Sequence, residues 1–121
     1  MTALADYRRQ IEDALVYSGH SHTYDDVLAM VEAGKAQAWF GATSIIITEI
    51  VLEPQFKVLN YFLAGGNLAE LEAMLPLVEA WGREHGCKKA TLVGRKGWER
   101  TFLKRQGWTN GLVVLDKNLD G

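Results

Sequence analysis

The sequence predicts a single α/β domain built on a mixed sheet, and three observations carry that expectation. Apolar residues recur at helical spacing near the start of the chain, three short β-branched and aromatic runs follow, and the remainder alternates strand, helix and strand patterns. With 121 residues, 48% of them hydrophobic, the chain is long enough to bury one core. Charged residues interrupt every apolar stretch well short of the roughly 18–20 residues needed to cross a bilayer. Met1 to Gln10 lacks a basic-then-apolar signal pattern. The single cysteine, Cys87, can form neither an internal disulfide nor a multi-cysteine zinc site. These features predict a soluble chain in a reducing, cytoplasmic setting, without repeats or linkers.

Taken in order, Leu4, Tyr7, Ile11 and Leu15 form the apolar stripe of a first helix, with Arg8, Arg9, Glu12 and Asp13 between them, ending near Ser18-Gly19. Thr23 is the expected N-cap of a second helix, and Asp25 and Asp26 complement the positive end of its dipole. Val27, Met30 and Val31 are its apolar stripe, and Gly34 stands where a left-handed C-cap is wanted. The period then changes to that of strands. Ala36 to Phe40, Ser44 to Leu52 and Lys57 to Leu63 read as a three-stranded meander, punctuated by Gly41-Ala42 and Glu53-Pro54.

Gly65-Gly66-Asn67 leads into a third helix whose stripe is Leu68, Leu71, Leu75, Val78 and Gly82. Asn67 with Glu70 three residues on predicts a capping box, and Pro76 predicts a kink or a restart. Three elements follow: a strand from Lys89 to Val93, a helix opened around Lys96-Gly97 carrying Trp98, Phe102 and Leu103, and a last strand from Gly111 to Leu115. The order is ααβββαβαβ. It implies a sheet of about five strands, the first four antiparallel, with the strand from Lys89 beside the one from Lys57.

Charge is unevenly spread along the chain. Residues 83–108 hold eight of the thirteen cations against Glu84 and Glu99, while the net charge of the whole is only -2. Such a lobe would suit a phosphorylated ligand, a nucleic acid or an acidic partner surface, or it is a solvated helix face.

The element order resembles the GNAT fold of N-acetyltransferases, with the family's usual first strand missing. Gly86-Cys87-Lys88-Lys89-Ala90-Thr91-Leu92 resembles the end of the family's long helix and its fifth strand, and Phe102-Leu103-Lys104-Arg105-Gln106-Gly107-Trp108 is similar to its Phe-Tyr-x-x-x-Gly-Phe helix end. The C-terminal half, with Gly94-Arg95-Lys96-Gly97-Trp98, looks most like small GNAT-like proteins of tailed phages and prophages.

The resemblance implies an acyl-coenzyme A, acetyl-CoA or CoA itself, in a gap between two strands. Its pyrophosphate would lie on backbone N–H groups at the start of the long helix. The corresponding residues are Leu63, Ala64, Gly65, Gly66, Asn67 and Leu68, helped at longer range by Arg95 or Lys96. This stretch lacks the family's longer Gln/Arg-x-x-Gly-x-Gly/Ala loop, and a tight capped turn would account for Gly-Gly-Asn equally well. Glu49 is the candidate base for an amine nucleophile, since alternation places it on one strand face with Ile45, Ile47 and Val51; a solvent-facing edge glutamate is the other reading. Leu103 stands at the position of the family's tyrosine acid and has no proton to give, and Lys96 replaces a commonly seen Asn.

Other constellations are weaker. His20-Ser21-His22 with Asp25 lacks a third strong metal ligand of fixed spacing, so no metal is expected. Cys87 beside His85 fits a small buried thiol better than a nucleophile. Trp98 and Trp108 lie among cations, as base-stacking aromatics do, but they fall where a helix meets a sheet, and no nucleic-acid motif accompanies them. Two functions therefore stand: acyl transfer from acyl-CoA to an amine, and a noncatalytic interaction protein, a phage or virion component, on a degenerate form of the same fold. Neither a nucleic-acid nor a membrane partner is expected.

Overall fold

The computed structural model describes residues 4–94, 102–111 and 114–120. A 3-10 turn, Leu4–Tyr7, runs into α1 (Arg8–Tyr17), and α2 (Tyr24–Glu32) follows. Three strands come next: β1 (Gln37–Phe40), β2 (Ile45–Leu52) and β3 (Lys57–Gly65). The long helix α3 (Leu68–Glu84), β4 (Cys87–Leu92) and a short α4 (Phe102–Arg105) complete the order. The strands lie in the order β1-β2-β3-β4, with β1, β2 and β3 antiparallel and β4 parallel to β3.

The mixed α/β class and the placing of the Lys89 strand beside the Lys57 strand are as the sequence implies. An antiparallel fourth strand is not what forms. Between β3 and β4 the chain crosses over through α3, and a helical crossover returns it in the same direction. Among the described residues the expected fifth strand does not appear: Gly111, Val114 and Leu115 belong to no strand, and residues 112–113 lie outside the described residues. The opening of the fourth helix around Lys96-Gly97, with Trp98, lies outside them too. Helix α3 runs unbroken through Pro76 and does not restart there. Proline removes a single ladder bond, and burial of Leu71, Leu75 and Val78 on one stripe holds the helix through it.

Alternation divides the core into two clusters, one on each face of the sheet. Ile45, Ile47 and Leu63 pack under the N-terminal segment with Tyr7, Ile11, Leu15 and Val27. Ile46, Leu59 and Tyr61 pack under α3 and α4 with Leu71, Leu75, Val78 and Leu103. The second helix starts with a full capping box: Thr23 Oγ1 accepts from Asp26 N–H, and Asp26 Oδ2 accepts from Thr23 N–H.

The two glycines ahead of α3 are explained by close packing. A side-chain carbon on Gly65 would stand 2.7 Å from the Gln10 carbonyl of α1. On Gly66, whose φ is +126°, it would stand 2.6 Å from Ser44 Cα at the head of β2. Gly66→Ala should therefore cost more than the about 1–3 kcal/mol of a strained backbone alone, because the Ser44 main chain cannot step aside. Gly19 also has positive φ but faces open space, so Gly19→Ala should cost only the backbone term, about 1–2 kcal/mol. Chemical denaturation of the two variants checks this, and equal losses would contradict it.

Candidate functional site

The central geometric fact is where pairing stops. β3 is paired to β2 through its whole length, from Lys57↔Leu52 to Gly65↔Ile45. On its other edge it is paired to β4 only as far as Tyr61↔Leu92. Beyond that rung the two parallel strands separate, and a cleft of about 650 Å3 opens between them. Its walls include Leu63, Ala64, Gly65, Gly66 and Asn67 on one side and Leu92, Val93 and Gly94 on the other. Leu71 and Leu75 of α3 and Leu103 of α4 line it from one face of the sheet, and Arg9, Gln10, Asp13 and Tyr17 of α1 line it from the other.

A β-bulge sits at this point. Ile47 pairs with Leu63 and Thr48 with Tyr61, so Phe62 is an extra residue on β3. It reverses the side-chain parity: Leu59 and Tyr61 belong to the α3 cluster, whereas Phe62 and Leu63 pack with the N-terminal helices. The His22 ring meets the Phe62 ring edge-on, with centroids 4.8 Å apart. His22 Nδ1 and Ser21 Oγ share a 2.7 Å hydrogen bond. Among the described residues, no group of three or more metal-ligating side chains gathers.

The start of α3 closes one end of the cleft. Asn67 caps the helix, its side chain accepting from Glu70 N–H at 3.0 Å, while Asn67 N–H donates to Ser44 Oγ at 2.8 Å. Leu71 N–H is bonded to Asn67 O. The first-turn donors that remain for an anion are the Leu68 and Ala69 N–H groups.

The expected capping box is only half formed. The Glu70 carboxylate reaches instead to the β1–β2 turn, accepting from Ala42 N–H at 2.6 Å and Thr43 N–H at 2.9 Å. The neighbouring Ser44 hydroxyl and the Thr43 and Ala42 amides hold this carboxyl down at about 2. A carboxylate with two backbone donors offered across a turn satisfies more groups than a return to its own cap.

Tyr61, at the last paired rung, is 6% exposed and lines the cleft. Its ring contacts Trp108 edge-on at 5.6 Å. Its hydroxyl is buried and has no hydrogen-bond partner among the described residues. Burial pushes the phenol pKa up, with Glu79 adding to the effect and Arg83 opposing it.

Of the residues singled out from sequence, Leu63 to Asn67 come together along one wall of the cleft, and Leu68 begins the helix at its end. Arg95 and Lys96 lie outside the described residues. Glu49 stands half-buried on the face of β2 shared with Ile45 and Ile47. Its Oε1 accepts from Asn60 Nδ2 at 2.9 Å, and Asn60 Oδ1 accepts from Thr91 Oγ1 at 2.9 Å, a polar ladder across three strands. It does not line the cleft, where the carboxylate is Asp13. Leu103, at the tyrosine position, is 4% exposed. In the basic lobe, Arg105 pairs with Glu72 at 3.3 Å and Arg83 with Glu79 at 3.8 Å, while Lys104 is exposed. Sequence reasoning missed the wall supplied by α1 and the hydroxyl of Tyr61. The polar residues on α1 were its only signal for the first, and nothing local in β3, which also carries Lys57 and Asn60, signals the second.

This architecture is a mixed α/β fold. No protein-family model and no curated protein matches the chain. Solved structures match it over nearly its full length. A transcriptional regulator from Bacillus halodurans is 12% identical with a TM-score of 0.68, covering 98% of this chain and 96% of that one. The Thermus thermophilus protein TTHA1254 is 14% identical with a TM-score of 0.64, over 99% and 95%. An acetyltransferase from Trypanosoma brucei is 10% identical with a TM-score of 0.60, over 93% and 94%. At these identities the likeness is one of fold.

The Glu70 contact makes a pH test. A carboxyl with its ordinary value near 4.5 unfolded and about 2 folded contributes stability that is complete above the unfolded value and lost as pH falls through the folded one. The melting temperature of the wild type should exceed that of Glu70→Gln at neutral pH, and the gap should close between pH 4.5 and 2. A gap that stays constant across that range would contradict the assignment.

Proposed function

We propose that the chain binds acyl-coenzyme A in the cleft between β3 and β4 and transfers the acyl group to an amine. One observation carries the reading: among the described residues β3 has no strand partner on this edge beyond Tyr61↔Leu92, beside the start of a capped helix. Such an edge suits the extended, amide-bearing arm of coenzyme A, which can be received as a peptide strand would be. The Leu68 and Ala69 N–H groups suit its pyrophosphate, with Gly65 to Asn67 forming the adjacent wall, Arg9 on the α1 side and Arg95 or Lys96 at longer range. When bound, the coenzyme supplies an acyl group activated as a thioester.

The chain's own residues would do the rest. Asp13 on the α1 wall attracts an ammonium group to the mouth of the cleft, and Glu49, held in place by Asn60, is the proposed base that accepts the amine proton, through water because it stands back from the cleft. A second reading, a noncatalytic interaction protein of phage type on a degenerate form of the same fold, is favoured by one observation: the buried Leu103 fills the position where the resemblance implies a tyrosine hydroxyl.

Calorimetry with acetyl-CoA should give saturable binding, and no heat at millimolar ligand would overturn the acyl-transfer reading in favour of the noncatalytic one. If acyl transfer to an amine is then seen, Glu49→Gln should lower kcat by about 100-fold or more with KM for acetyl-CoA little changed. An unchanged kcat would remove Glu49 from the mechanism. Binding without transfer to any amine offered would favour the noncatalytic reading.

A further inference from the structure

Two opposite charges stand on the α1 wall of the cleft, and they do not neutralise each other. Arg9 and Asp13 lie one helical turn apart and both line the cleft. One position earlier, at the same spacing, Arg8 and Glu12 pair at 3.4 Å. Among the described residues Asp13 enters no ion pair, and it is exposed.

The helix grades its charges along the cleft. Gln10 is pressed against Gly65, where a side-chain carbon would stand 2.7 Å from the Gln10 carbonyl, and its side-chain amide donates to Thr43 O at 3.1 Å. Arg9, next to it in the chain, therefore stands by the wall proposed for the pyrophosphate, and Asp13 follows about 6 Å further along the helix. A carboxylate there repels phosphates and attracts an ammonium ion. Tyr17 comes a turn later on the same wall, 64% exposed, and an aromatic face adds to the attraction for an alkylammonium group.

We propose that the acceptor is a diamine: Asp13 holds one nitrogen as an ammonium ion while the other, neutral, attacks the thioester. The inference rests on the acyl-transfer reading above and deepens it by naming the substrate class. The attacking nitrogen gives its lone pair to the carbonyl carbon, forming the C–N bond as the C–S bond breaks. One proton leaves that nitrogen for Glu49 through water, and one is returned to the departing sulfur. An ammonium ion has no lone pair to give, and a carboxylate beside it makes its proton harder to lose. The nitrogen held by Asp13 is therefore not the one that reacts, and a substrate that uses both Asp13 and the thioester needs two.

Two measurements test this with unbranched diamines running from putrescine to longer chains, the monoamine of each length, and the amino acid that carries a carboxylate at the far end. In binding, amide chemical shifts of the coenzyme-free protein should move at Asp13 and Tyr17 with the diamines, and Asp13→Asn should weaken that binding about tenfold. In turnover with acetyl-CoA, kcat/KM should favour the best diamine over its monoamine by about tenfold or more. Asp13→Asn should remove that preference through KM for the amine, with KM for acetyl-CoA held. Asp13→Lys should shift the preference to the amino acid, and Glu12→Gln, on the same helix but not lining the cleft, should leave it with the diamine. Diamine binding that Asp13→Asn leaves intact, or equal kcat/KM for diamine and monoamine, would overturn the inference and spare the acyl-transfer reading. Saturable acetyl-CoA binding with transfer to other amines and to no diamine would do the same. A protein that binds no acetyl-CoA would overturn the acyl-transfer reading itself, and the inference with it.

Discussion

The structure turns on a mismatch of register along one strand. β3 is nine residues long and satisfied along its whole length by β2, yet β4 accompanies it only to Tyr61. A strand that ran on beside it would have closed the sheet. Backbone groups left on a strand edge must find partners in water or in another molecule, so the early end of β4 creates the cleft and sets what can occupy it. The bulge at Phe62 belongs to the same event. It shifts Leu63 to the α1 side, which lets one wall of the cleft be shared by both core clusters.

Around that gap the chain places its tightest local contacts. Gly65 lies against the Gln10 carbonyl and Gly66 against Ser44, so the turn from β3 into α3 is pressed onto both α1 and β2. Ser44 Oγ then takes Asn67 N–H, and Glu70 ties the first turn of α3 to the β1–β2 turn. The helix start beside the cleft is therefore fixed from three directions. A binding surface made of main-chain donors gains affinity from being held in place beforehand, because less freedom is lost when the ligand arrives.

Much of this fold was legible in the sequence because it rests on local rules. Thr23 with Asp26, the Asn67 cap, the change of period at Lys35 and the Gly-Gly turn each announce themselves within a few residues. The Gly-Gly turn was legible as a wall of the cleft, but the reason for its glycines was not, since Ser44 and Gln10 are distant in sequence. Likewise Lys57 to Leu63 reads as one continuous strand, and nothing in it marks Phe62 as the extra residue: a bulge depends on the partner strand. Glu70 reads as half of a capping box because its true partners, Ala42 and Thr43, lie 28 and 27 residues away. Glu49 reads as a strand residue by alternation, but its hydrogen bond to Asn60 depends on cross-strand register.

The central claim, that the gap between β3 and β4 receives the ligand, is tested most directly by amide chemical shifts in a titration with acetyl-CoA. The largest changes are expected at Phe62 to Ala69 and at Leu92 to Gly94, with Gln37 to Phe40 of the far strand unmoved. Changes centred on β1, or on the exposed face of α4 with the cleft silent, would contradict the account.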